Sequence, residues 1–196
     1  MSLPAAAPIV YRVSTTDPVF FTTMDDGWVS NSAARKYLID NDIPTTQFLL
    51  GVIWKDPARA RFFRPLVRNG AEVGNHTSTH SILRGISLYT AKKAVCRGRD
   101  LVRLGSGTAP KWLRPPTGAI DKTGQRAATA CGQSRIVQWS ASADGSRLSL
   151  ASGRVLQRGD IVLMHWNRST LYTLKNVIAK ARAQGLRPAA LGDYLS

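Results

Sequence analysis

Segments patterned as buried strands alternate with segments patterned as helices along almost the whole chain, and no other feature restricts the fold as much. VFFTT (19–23) is an apolar strand, followed by a helical pattern over 31–41 behind the polar residues Ser30 and Asn31, and then by a second strand, TTQFLL (45–50). A helix entered through Pro57 and closed by Gly70 leads to the short strand AEVGNHT (71–77). A helix over 87–105 ended by Gly105 leads to KWLRPP (111–116), a strand running into a proline-forced turn. DKTGQRAATACG (121–132) reads as a helix, RIVQWSA (135–141) and DIVLMHW (160–166) as strands, and 170–185 as a final helix closed by Gly185. Such alternation implies parallel strands with helices packed outside, in an open doubly wound sheet or a closed barrel. In both, ligands collect at the carboxyl ends of the strands.

The unusual residues lie at those ends. Asp25 and Asp26 directly follow the first apolar run, and two adjacent carboxylates are costly there unless a cation sits beside them. The chain has three histidines, His76 and His80 in NHTSTH and His165 in VLMHW. A spacing of four puts His76 and His80 on one face of a helical turn, able to hold one metal. With a carboxylate from the DD pair they make three protein ligands and leave positions open, the layout of a catalytic zinc. Alone, a His-x-x-x-His is more often a pair of capping or surface histidines; the DDG at a second strand end shifts the balance.

Charge and cysteine content restrict partners and compartment. The 196 residues, 43% of them hydrophobic, suit one domain, expected over 17–196, with 1–16 a linker or expression remnant where an upstream signal or anchor could have been removed. No apolar run reaches eighteen residues, so no membrane span is expected. The 27 Lys and Arg against 12 Asp and Glu attract polyanions through a salt-screened field. No helix-turn-helix, zinc-finger or RNP signature accompanies them, so nucleic acid is not the expected partner. Cys96 and Cys131 lack metal-site spacing and are open to two readings, a bridge between neighbouring helices or two buried thiols.

Four short motifs then resemble, in order, those of the polysaccharide deacetylases, the NodB-homology group or carbohydrate esterase family 4: TTMDDG, HTSTH, RPPTG and VLMH. The likeness covers 19–195. It implies a distorted, incompletely closed (β/α) barrel. It also implies a divalent ion, Zn2+ or another such as Co2+, held by Asp26, His76 and His80. Asp25 would be the general base, held ionised and oriented by Arg114, and His165 the general acid. The Thr117 amide would serve the oxyanion, and Leu163 would line the pocket for the acetyl methyl. The chemistry suits these residue types, because an amide nitrogen leaves poorly until an acid protonates it.

Departures accompany the likeness. Thr117 stands where an aromatic is usual, and in QWSASADG Ser142 falls where an Asp is expected, with Asp144 one residue out of register. Asp144 is therefore read either as a partner for His165 or as a loop-capping residue. Trp28 and Trp166 are candidates for stacking on sugar faces, or for the core. The expected function is removal of N-acetyl groups from N-acetylglucosamine-containing polysaccharide, peptidoglycan or chitin-like, by a secreted or cell-surface monomer. The basic surface favours an anionic cell-wall polymer. An acetyl-xylan esterase and a non-catalytic glycan-binding protein are the alternatives.

Overall fold

The computed structural model describes residues 6–151, 153 and 155–195. Its strands carry the hydrogen-bonded order β1-β6-β5-β4-β3-β2-β9-β7-β8, with β10 pairing β2, and the pairs are parallel apart from the β7–β8 hairpin among those whose register is defined. The strands are β1 (Ile9–Val10), β2 (Val19–Asp26), β3 (Thr45–Leu49), β4 (Glu72–Asn75), β5 (Trp112–Leu113), β6 (Arg135–Val137), β7 (Ala141–Asp144), β8 (Arg147–Leu150), β9 (Ile161–His165) and β10 (Arg187–Pro188). The helices are α1 (Ser32–Asp40), α2 (Gly51–Lys55), α3 (Pro57–Arg68), α4 (Leu88–Ser106), α5 (Lys122–Ala130) and α6 (Thr170–Ala183). β2 and β3 are buried along nearly their whole length, which is why they read as continuous apolar runs rather than alternating ones.

Contacts divide the chain into two compact units. One gathers the described residues up to Val10 with Phe48–Ala60 and Val73–Gln138, and the other Tyr11–Gln47, Arg61–Glu72 and the described residues from Trp139 onward. In the first, α4 and α5 pack through Ala91, Ala94, Val95, Ala127 and Ala128, and the bridge Cys96–Cys131 joins them, which decides between the two cysteine readings. α4 is capped by the Ser87 side chain on the Thr90 amide and α5 by Asp121 on the Gly124 amide, the side-chain acceptors that orphan amides of a first turn need. In the second unit, Asn31 caps α1 through the Ala34 amide, and β9 lies beside β2 with Asp25 opposite His165.

Three expectations are corrected. The linker expected over 1–16 is folded from Ala7 onward: Ala7 and Val13 are buried, Ile9–Val10 pairs with β6, and Arg12 forms an ion pair with the buried Asp160 at 2.5 Å. Residues 1–5 lie outside the described residues. The single strand expected over 135–141 is split into β6 and β7, and β7 turns back through Gly145 into β8, a hairpin the strand–helix pattern does not reveal. The helix expected to end at Gly105 runs to Ser106 and is closed by Gly107 at φ 84°, a left-handed position that suits glycine.

Candidate active site

β2 ends in a tight reversal. The Gly27 amide donates to the Asp25 carbonyl at 3.0 Å across Asp26, whose φ is +70°. Two adjacent residues of a regular strand point to opposite faces, but this turn re-aims the second. Asp25 is buried and Asp26 only half-buried, so the neighbouring carboxylates occupy different environments. Asp25 is in register with His165 of β9, and the Trp166 amide donates to the Asp25 carbonyl at 3.3 Å. His165 is exposed at the strand end.

His76 follows β4 directly. Residues 77–79 form a turn, not the helical turn expected from the spacing, and Thr77 and His80 have φ of +65° and +66°. The two imidazoles meet edge to face at 5.2 Å between centroids. Three contacts hold the turn: Asn75 donates through Nδ2 to the Val95 carbonyl at 2.9 Å, its Oδ1 accepts from the Thr77 amide at 2.9 Å, and the Ser78 amide donates to the Ala94 carbonyl at 3.0 Å. Gly98 of α4 lies so close that a Cβ there would stand 2.4 Å from Asn75 Oδ1 and 2.6 Å from the Thr77 carbonyl carbon. Neither Asn75 nor Gly98 is visible as functional in the sequence, since their role is only to press α4 against the turn.

His76 Nδ1 lies 2.8 Å from the Arg114 carbonyl oxygen, which can only accept. The proton of a neutral His76 is therefore on Nδ1, and Nε2 keeps its lone pair, the arrangement a metal ligand requires. One ligand atom each from Asp26, His76 and His80 lies within 4.8 Å of the others. Two imidazoles and a carboxylate make a nitrogen and oxygen donor set that fits Zn2+ or Co2+. Of the five described non-glycine residues with positive φ, four are Asp26, Thr77, His80 and Thr117. Each such residue costs on the order of 1–3 kcal/mol, and strain of this kind persists where surrounding structure enforces a functional geometry.

Arg114 is fully buried, donating Nε to the Val137 carbonyl and Nη2 to the Gln138 carbonyl at 3.1 Å each, with its guanidinium 4.3 Å from the Phe48 ring centroid. Thr117 is exposed on the turn after Pro116. Leu163 and His165 line a cavity of about 260 Å³ together with Trp139, Ser142, Ala143, Asp144, Arg147 and Ser149. Asp144 Oδ1 accepts from Asn167 Nδ2 and Ser169 Oγ, both at 3.2 Å. Among the described residues it makes no hydrogen bond to His165, so the loop-holding reading of Asp144 is the one observed. Trp166 is corrected outright: it is 2% exposed, donates Nε1 to Gln47 Oε1 at 2.8 Å and packs against Phe62 and Phe63, so it belongs to the core and not to a sugar-binding rim. Trp28 is half exposed, as stacking on a sugar would require.

The family model described as polysaccharide deacetylase matches residues 12–136. An uncharacterised protein of Streptomyces coelicolor is 33% identical over 198 residues, covering 96% of this chain and 77% of that protein. The peptidoglycan-N-acetylmuramic acid deacetylase PdaC of Bacillus subtilis is 30% identical over 121 residues, 56% of this chain and 24% of PdaC. Among solved structures, a carbohydrate esterase family 4 pseudoenzyme from Bacillus anthracis is similar with a TM-score of 0.81 at 20% identity, covering 98% of this chain and 70% of that one. A family 4 acetyl xylan esterase from Clostridium thermocellum, in complex with a cobalt ion, has a TM-score of 0.74 at 19% identity over 90% of each chain. At these identities the structural likeness carries the fold alone, an α/β protein with a curled, open half-barrel sheet, as the family resemblance implied.

Proposed function

The chain belongs to the polysaccharide deacetylase family, and on that premise we propose that it is a zinc-dependent hydrolase releasing acetate from N-acetylated hexosamine polysaccharide, with the catalytic domain expected over 17–196 extended to take in residues 7–16. One observation carries the reading: ligand atoms of Asp26, His76 and His80 converge within 4.8 Å. A divalent ion bound there supplies polarisation of the acetyl carbonyl and a more acidic water. Asp25, buried beside the half-buried ligand Asp26, takes the proton of the attacking water. Arg114 orients the Asp25 carboxylate, and the Thr117 amide meets the oxygen on which charge develops. His165, in register with Asp25 on the next strand, protonates the departing amine, and Leu163 lines the space for the acetyl methyl. Trp28 offers an exposed ring to a sugar face.

The substrate reading draws on relatives. PdaC is named for N-acetylmuramic acid of peptidoglycan, another relative is a chitooligosaccharide deacetylase of Sinorhizobium fredii, and a third combines xylanase and xylan deacetylase. The net charge of +15 favours an anionic cell-wall polymer, reached outside the cell or at its surface by a monomeric chain. No helix among the described residues is long and apolar enough to cross a membrane. Acetate release on acetylated chito-oligosaccharide, peptidoglycan and acetyl-xylan, with and without chelator, tests the proposal. Release from the first two, lost with chelator and restored by zinc, is expected. Release from acetyl-xylan alone would make the chain an ester hydrolase. Binding without release from any substrate would make it a non-catalytic glycan-binding protein on this fold, one that a family 4 pseudoenzyme from Bacillus anthracis shares.

A further inference from the structure

The cavity beside His165 has a chemical bias that the deacetylation reaction does not use. Its far wall is the β7–β8 hairpin. Ser142 is the Cα partner of Ser149 and Asp144 the partner of Arg147, so the four side chains share one face of the ladder. Three of them offer hydrogen-bond donors: one guanidinium and two hydroxyls. Among the described residues the Arg147 guanidinium and the Ser142 and Ser149 hydroxyls make no hydrogen bond or ion pair with protein. The one carboxylate in the cavity, Asp144, is bound through Oδ1 to Asn167 and Ser169 on the loop before α6. Leu163 and His165 complete the lining from β9, where Leu163 is the Cα partner of Ser142.

A fork of guanidinium donors flanked by hydroxyls matches a planar carboxylate, which accepts two parallel hydrogen bonds on its two oxygens. A neutral acetamido sugar leaves the guanidinium with water alone. The geometry points to Arg147, with Ser142 and Ser149, as a specificity-determining subsite for a carboxylate carried on the acetylated sugar. This rests on reading Leu163 and His165 as the end of the site that receives the acetyl group. The carboxylate must then lie within one ring of that group, as it does when an ether-linked lactyl acid occupies the carbon next to the acetamido carbon. Such a sugar is the N-acetylmuramic unit of a glycan strand whose lactyl carboxylate is free. The basic composition raises affinity for any polyanion, whereas this subsite distinguishes one placement of charge from another.

The test uses three oligosaccharides of equal length: one containing N-acetylmuramic acid with its free carboxylate, the methyl ester of that compound, and a chito-oligosaccharide bearing a 6-phosphate. Equilibrium binding is measured with the Asp25→Asn protein, so that affinity is read without turnover, and acetate release is measured with the parent. The acid is expected to bind at least roughly threefold more tightly than its ester, the range of a partly exposed charge pair. Arg147→Gln should erase that ratio, Arg147→Lys should retain part of it, and the phosphate compound should not respond to either substitution. Equal affinity for acid and ester, or a preference that survives Arg147→Gln, overturns the subsite. A phosphate affinity that falls with Arg147→Gln as much as the acid's makes it a general anion contact and also overturns the carboxylate assignment. Absence of acetate release with the acid preference intact refutes the deacetylase reading and leaves the subsite standing.

Discussion

Gly98→Ala tests how the histidine turn is built. In the interior of an ordinary helix the change is stabilising by about 0.8–1.0 kcal/mol, because alanine has less backbone freedom to lose. Here the added methyl would stand 2.4 Å from Asn75 Oδ1, 2.6 Å from the Thr77 carbonyl carbon and 2.9 Å from the Ser78 nitrogen. Two of those atoms are backbone, and the turn must retreat by about 1 Å to reach ordinary separations. The Thr77 and Ser78 carbonyls are themselves bound by the Gly51 and Val52 amides at 2.9 and 3.0 Å, so the retreat also strains the start of α2. Overpacking of this kind costs about 1–3 kcal/mol, and weakening the Asn75 and Ser78 bonds adds about 1 kcal/mol each, which outweighs the helix gain. A net loss of roughly 2–4 kcal/mol lowers the melting temperature by about 4–16 °C in a chain of this size. Because the displaced residues lie between His76 and His80, zinc affinity should fall with stability, and acetate release by about a hundredfold, as a misplacement near 1 Å implies. Thermal unfolding, competition for zinc with a chromophoric chelator and acetate release measure the three effects. A melting temperature raised by a few degrees, with zinc affinity unchanged, would refute the claim that α4 positions the histidines by close contact.

The two acids of the first motif should fail differently: Asp26→Asn is expected to lose zinc, and Asp25→Asn to keep it while turnover falls by about a hundredfold to ten-thousandfold, as metal content and single-turnover rates will reveal. Replacing Cys96 and Cys131 by serine opens a cross-link across a sequence separation of 35, worth about 4 kcal/mol in the chain-entropy account and roughly 8–16 °C in melting temperature. A loss below about 1 kcal/mol in denaturant titration would contradict that account. Glu72 accepts hydrogen bonds from Thr46 and from the Leu191 and Gly192 amides, yet burial outweighs them and raises its pKa above the ordinary 4.5. Folding therefore favours its protonated form, a contribution present below the unfolded pKa and lost as pH rises through the folded one. The stability of the parent relative to Glu72→Gln should accordingly be greater near pH 4 than near pH 7. The opposite trend in urea titrations would mean that the three hydrogen bonds dominate.

The reach of the sequence differs from residue to residue, for identifiable reasons. Asp26, His76 and His80 were legible as a candidate ligand set because a metal demands a few residue types, and one of those types is scarce in this chain: three histidines in 196 residues. The main helices and the buried strands β2, β3 and β9 were legible because apolar periodicity and local caps determine them. The hairpin β7–β8 had a local signal in the Asp144–Gly145 pair, but the strand–helix alternation masked it, and with it went Arg147 and Ser149. Trp166 could not be assigned from sequence, since a tryptophan beside a strand end faces either a groove or the core, and only the partners Gln47, Phe62 and Phe63 decide which.

By itself, then, the sequence determined the α/β class, the residues that could hold a metal and the family to which they point, because each depends on residue type and local spacing. Tertiary structure decided what depends on distant segments meeting. It paired Cys96 with Cys131, and it directed Asp144 to Asn167 and Ser169. It folded residues 7–13 into the protein through β6 and Asp160. It also gave Gly98 its purpose, since the absence of a side chain there matters only because Asn75 and Thr77, more than twenty residues away in sequence, occupy the space a methyl group would fill.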